Sequence, residues 1–228
     1  MEDVVNEHSK DLTWCETASF HGISVASERA SGVWRAMAAE KVMEVIKYLP
    51  VCPESWGLHN WQAPTMAYLK PGMWVQRLAG LQTCWASETW LMKGADASAV
   101  VEALKKCNTL KEQCTKATHP ALRAADFQTR EARSDFFSCF FFTPRKKWLD
   151  VCEIKLRQEA DGIYADAFSC STGIVPTAVI GCTPLSALFS PIPFDDWGQN
   201  QSHLRTLRQL IADEGIGIEK VATKEKSS

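Results

Sequence analysis

The sequence predicts an α+β fold: an antiparallel β-sheet packed on one side by helices, with an N-terminal helical extension and a long apolar insertion before the C-terminal helix. Three observations carry this. Apolar residues recur at helical spacing near both ends of the chain, β-rich runs broken by hairpin loops fill residues 136–168, and Ala167 to Phe194 contains no Asp, Glu, Lys, Arg or His. A charge-free run of that length requires an apolar solvent, a core or a partner.

In "SGVWRAMAAEKVMEVIKYLP", Trp34, Met37, Ala38, Val42, Val45, Ile46 and Leu49 recur at helical spacing and Pro50 ends the run, which predicts an amphipathic helix. Residues 51–94 are rich in Trp, Gly and Pro without clean periodicity and predict short strands joined by turns. "DASAVVEALKKCNTL" places Val100, Val101, Leu104 and Cys107 on one helical face, with Asp96 or Ser98 as N-cap. The period then changes. Phe136 to Phe142, Trp148 to Leu156 and Ile163 to Phe168 read as strands, with hairpin loops at "TPRKK" and "EADG". "FFSCFFF" puts Phe140 and Phe142 on one face and Phe141 on the other, and the imperfect alternation of "WLDVCEIKL" suits a strand covered on both faces. The last helix, "NQSHLRTLRQLIADEG", gathers Leu204, Leu207, Leu210 and Ile211, with Asn200 or Ser202 capping and Gly215 closing. Domain boundaries follow: residues 1–50 as the extension, 51–215 as the domain with its insertion at 174–194, and 216–228 as a flexible polar tail.

The 228 residues can bury one substantial core. Lys plus Arg total 25 against 27 for Asp plus Glu, so no basic footprint for nucleic acid exists. The nine Cys are scattered without a C-x-x-C pair and read as reduced, mostly buried thiols. With His they form no zinc spacing, and no cofactor motif is present, so neither metal nor cofactor is expected. "MEDVVNEHSKDLTWCETASF" has no apolar core of signal-peptide length, which predicts a protein that is not secreted: cytoplasmic, or organellar after loss of a transit peptide.

The order of helix, antiparallel strands and terminal helix, together with "DDWGQNQSHLRTLRQL", resembles the domain-of-unknown-function 1499 family (DUF1499) of bacteria and plastid-bearing eukaryotes. Its C-terminal signature is approximately Asp-Leu-Gly-Val-Asn-Arg. Asp196, Gly198 and Asn200 match it, while Trp197 replaces Leu and Gln201 replaces Arg. Leu204, Leu207 and Arg208 fit the following helix, and His203 stands where the family usually has Arg. "DVCEI" is similar to the family's Asp-Asp-Val-Glu-Phe through Asp150, Glu153 and Ile154, "CSTG" keeps Gly173 of Ser-Arg-x-Gly, and "CPES" is similar to an early Cys-Pro-Asp-Ser. In the family pattern Ser-Arg-x-Gly leads almost directly into Asp-Leu-Gly. The run from Ile174 to Phe194 therefore reads as an insertion that the core does not need. The resemblance implies a plastid setting and permits a photosynthetic, thylakoid-membrane complex.

Pro176, Pro184, Pro191 and Pro193 interrupt the run, so it is not expected to span a bilayer. It remains either a buried segment or a docking surface built from Leu185, Leu188, Phe189 and Ile192, to which Trp56 and Trp61 add a second apolar patch. For chemistry, the best polar residues are Asp150, Glu153, Asp196 and His203, which would line a pocket between sheet and terminal helix and supply acid/base groups. Against that, adjacent Asp residues before a helix ordinarily cap it, and a lone strand Cys such as Cys152 ordinarily packs. The leading expectation is thus a non-enzymatic accessory or assembly subunit docking on a membrane-associated complex or membrane surface, with pigment or lipid contact as a further class of partner. The rival is a small-molecule-binding protein or enzyme.

Overall fold

The computed structural model describes residues 41, 44–46, 48–78, 84–106, 126–143, 147–190, 192 and 198–224. A short 3-10 turn, Glu54–Trp56, leads into helices α1 (Leu58–Leu69) and α2 (Pro71–Leu78). Strand β1 (Trp85–Met92) and helix α3 (Ala97–Lys105) follow, then strands β2 (Asp126–Arg133), β3 (Phe136–Phe142), β4 (Leu149–Glu159) and β5 (Gly162–Ser171). Helices α4 (Cys182–Phe189) and α5 (Gln199–Asp213) and strand β6 (Glu219–Lys224) complete the chain. The six strands form one sheet in the order β2-β3-β4-β5-β1-β6, every neighbouring pair antiparallel. The fold is α+β, as the periodicity predicts.

Helices cover both faces of the sheet rather than one. Alternation along each strand separates two cores. Phe137, Cys139, Phe141, Cys152, Ile154 and Ala165 point toward α3 and α5, where they meet Val100, Leu104, Leu204, Leu207 and Ile211. Phe140, Phe142, Leu149, Val151 and Cys170 point to the other side, against Ala63, Met66 and Ala67 of α1 and against Ile174, Val175, Val179 and Cys182. The three neighbouring phenylalanines of β3 divide as the alternation requires, and β4 is buried on both faces at its start.

Segment 51–78 is helical instead of a set of short strands. In α1 the inward stripe is narrow, Ala63, Met66 and Ala67, while Trp61 and Tyr68 face solvent at 83% and 80% exposure. Apolar residues on both sides of a helix erase its period, and Pro64 inside it reads as a turn. Residues 219–224 are not a loose tail: they pair with β1 and form the sheet edge. β2 is the opposite edge, unforeseen because "DFQTREAR" is half charged, as exposed edge strands tend to be. Of the expected N-terminal helix, residues 44–46 are helical and Ile46 is buried in the α1-side core; Trp34, Met37, Ala38 and Val42 lie outside the described residues.

The supposed insertion is structural over most of its length. Ile174, Val175, Ala178 and Val179 are all at most 4% exposed. The backbone they carry is held by side chains from other elements. The Trp148 indole donates to the Ile174 carbonyl at 2.8 Å, and the Gln62 amide donates to the Thr177 and Val179 carbonyls at 2.9 and 2.8 Å. Gln62 Oε1 in turn accepts the Cys182 N–H at 3.2 Å. Gly173 is needed for this closure, since a Cβ there would lie 2.6 Å from Ser186 Oγ. Among the described residues no helix is long and apolar enough to cross a membrane.

Candidate functional site

Two features stand out, on opposite faces of the sheet. The first is an exposed apolar face where α1 and α4 pack side by side, with the Glu54–Lys147 ion pair beside Trp56. No Asp, Glu, Lys or Arg occurs in residues 55–69 or 167–192. Trp56, Trp61 and Tyr68 project from the α1 side, and Ile180 and Leu188, each about 70% exposed, project from the α4 side. The hydrogen bonds of Gln62, next to Trp61, tie the α1 side to residues 177–182. Of the residues expected to dock, Trp56, Trp61 and Leu188 are exposed. Leu185, Phe189 and Ile192 are half-buried and pack against the core instead. Tyr68 and Ile180 belong to the same face and were not foreseen, because the segment holding Tyr68 gave no helical period. His59, beside the tryptophans in sequence, turns inward and meets the Phe142 ring edge-on at 5.3 Å.

The second feature is a buried polar seam under α5. Gly198, in the left-handed conformation at φ 77, starts the helix, so Asn200 falls inside its first turn rather than at the cap. The Asn200 side chain is fully buried. Its Oδ1 accepts from Ser169 Oγ at 2.6 Å, and its Nδ2 donates to the Cys84 carbonyl at 3.0 Å and to Ser171 Oγ at 3.1 Å. Two turns along, Arg208 Nη1 donates to Glu88 Oε2 at 2.8 Å, and the same oxygen accepts from the buried Trp90 indole at 2.8 Å. Asn200 and Arg208 are two of the positions that carry the DUF1499 resemblance. Both act here as pins between helix and sheet.

Asp150 and His203 do come together. Both are at most 5% exposed, Nε2 of His203 lies 3.8 Å from Oδ2 of Asp150, and the imidazole stacks flat on Phe141 with ring centroids 3.9 Å apart. Glu153 does not join them. Three residues along the strand from Asp150, it faces the α1 side and pairs with Lys70 at 2.8 Å and Arg130 at 3.6 Å. Asp196 lies outside the described residues. A substrate could reach Asp150 and His203 only by displacing whatever buries them. Among the described residues no three His, Cys, Asp or Glu are grouped to hold a metal ion.

Burial pushes the His203 imidazole down from its ordinary 6.5 to about 3, so it is neutral at pH 7. Asp150, at 3.8 Å, is too far to hydrogen-bond the imidazole. His203 Nδ1 has no hydrogen-bond partner among the described residues. Between about pH 3 and 6.5 the unfolded chain binds this proton and the folded chain does not. The contribution of neutral His203 is therefore complete above pH 6.5 and lost as pH falls toward 3, at about 1.4 kcal/mol per pH unit. The unfolding free energy of wild type, measured by urea titration across this window, is expected to fall relative to that of His203→Phe as the pH drops. Parallel curves would show that His203 takes up its proton in the fold as readily as in the unfolded chain.

No protein-family model matches the chain, and no curated protein matches it. Among solved structures, the crystal structure of Ara h 8.0201 is similar at 8% identity over 57% of this chain and 96% of its own, with a TM-score of 0.30. The crystal structure of CalU16 from Micromonospora echinospora is similar at 12% identity over 57% of this chain and 84% of its own, with a TM-score of 0.25. Likeness at that level assigns no function.

Proposed function

We propose that the protein is a non-enzymatic accessory or assembly subunit that docks, through the α1–α4 face, on a larger membrane-associated protein complex. One observation carries this: an exposed surface of Trp56, Trp61, Tyr68, Ile180 and Leu188 set in two segments without a charged residue. Exposed aromatic and aliphatic side chains grouped in this way favour a protein or membrane surface over water. The DUF1499 resemblance adds a plastid location and, with it, a photosynthetic complex as the host. The rival reading, a ligand pocket or active site between sheet and terminal helix, has less support, because Asp150 and His203 are buried and Glu153 lies on the other face in ion pairs with Lys70 and Arg130.

Sedimentation with thylakoid membranes and with protein-free liposomes of their lipids tests this. The full chain is expected to pellet with the membranes and not with the liposomes, and Trp61→Ser with Tyr68→Ser is expected to release it. Pelleting with liposomes would replace the protein partner by a lipid surface, and no pelleting in either case would refute docking.

A further inference from the structure

A cleft of about 330 Å³ lies beside α5, lined by Arg205, Arg208, Ala212, Ile216, Gly217 and Ile218. It receives no side chain from β1 to β5 and sits on the opposite side of the sheet from the docking face. We infer that it binds a small organic carboxylate, with the carboxylate between Arg205 and Arg208 and the hydrocarbon part on Ala212, Ile216 and Ile218. The volume is at the lower end of small-molecule sites.

The charge of the cleft follows from its neighbours. Arg208 is paired with Glu88, which is 3% exposed and locked by the Trp90 indole, so this guanidinium is held in place while only Nη1 is committed to the carboxylate. A guanidinium has five donors, which leaves a fork for a second oxyanion. Arg205 has no ion-pair partner among the described residues and lines the same cleft. Of the nearby acids, Glu214 pairs with Lys106 and Glu219 pairs with Lys93 at 3.1 Å, while Asp213 accepts from the neutral Gln209 amide at 2.8 Å and keeps its charge. Arg205 and Arg208 are therefore balanced by Glu88 and Asp213, and the C-terminal carbonyls of α5 add roughly half a negative charge. An anion is held here by the guanidinium donors lining the cleft rather than by a cationic field, which disfavours a phosphate dianion, and the isoleucine and alanine wall favours a monoanion with an apolar tail.

The wall also provides a clean test. At Gly217 an added Cβ would meet no neighbouring atom within 4 Å, and no positive φ forbids one, so Gly217→Val adds bulk to the cleft wall at an open, unstrained position. Octanoate, octanol and inorganic phosphate are titrated into the full chain and followed by backbone amide NMR. Octanoate is expected to give saturable shifts at Arg205, Ala212 and Gly217, and to bind at least tenfold more tightly than octanol or phosphate. Arg205→Gln, a change at an exposed residue, is expected to weaken octanoate about tenfold or more, and Gly217→Val to abolish these shifts, both without loss of melting temperature. Equal binding of octanol removes the ionic anchor, equal binding of phosphate removes the apolar wall, and full binding by either variant, or no saturable shift up to about 10 mM octanoate, overturns the site. None of these results bears on docking.

Discussion

Excision of residues 174–190, bridged by a short Gly-Ser linker, is expected to leave no cooperative unfolding transition. Read as an insertion, this segment should be dispensable; as built, it closes one of the two cores. Ile174, Val175, Val179 and Cys182 are each at most 3% exposed. At roughly 1.5–3 kcal/mol for each buried aliphatic side chain, the three aliphatic ones contribute on the order of 5–9 kcal/mol. The bonds made by Trp148, Gln62 and Thr177 add roughly 1 kcal/mol each. The sum is comparable with the whole net stability of a domain, about 5–15 kcal/mol. Removing the segment also uncovers Phe140, Phe142, Leu149 and Val151. Circular dichroism melting of the excised chain decides the matter: a sharp transition within a few degrees of wild type would show that the run is an appendage after all.

Asn200→Ala is expected to destabilise the fold by about 3 kcal/mol, lowering the melting temperature by roughly 6–12 °C. The substitution leaves Ser169 Oγ, Ser171 Oγ and the Cys84 carbonyl without this partner in a fully buried position. Asn200→Asp is expected to cost at least as much, although it preserves shape. The two bonds to Cys84 and Ser171 need the Nδ2 donors, and an ionised carboxylate there has only acceptors to offer. Thermal melts of both variants check this. A loss below about 1 kcal/mol in both would mean that the first turn of α5 is held by its apolar contacts alone.

The elements legible in the sequence are those whose surroundings are uniform. β3, β4 and β5 are central strands, and their runs and hairpin loops fall where the β-rich segments and breaks place them. α3 and α5 each bury one stripe, so helical spacing finds them. β2 and β6 are edge strands whose charges suppress any apolar alternation. α1 was hidden for a related reason: its outer face carries Trp61 and Tyr68 where a solvated helix would carry charge. The residues that obscure the helix are those that build the exposed α1–α4 face. At the site, Trp56, Trp61 and Leu188 were legible as unshielded apolar residues, whereas burial of Leu185, Phe189 and Ile192 depends on long-range packing that one sequence does not display. Asn200 was misread as a cap because a polar residue before a helix ordinarily is one; its partners lie 29 to 116 residues away.

The division of the charge-free run into a buried part and an exposed part is the centre of this account, and adjacent residues test it. Val179 is 3% exposed and Ile180 is 70% exposed. Ile180→Glu combined with Leu188→Glu is expected to leave the melting temperature within about 2 °C of wild type, as exposed substitutions generally do, and to abolish sedimentation with thylakoid membranes. Undiminished sedimentation of this folded double variant would contradict docking through the α1–α4 face.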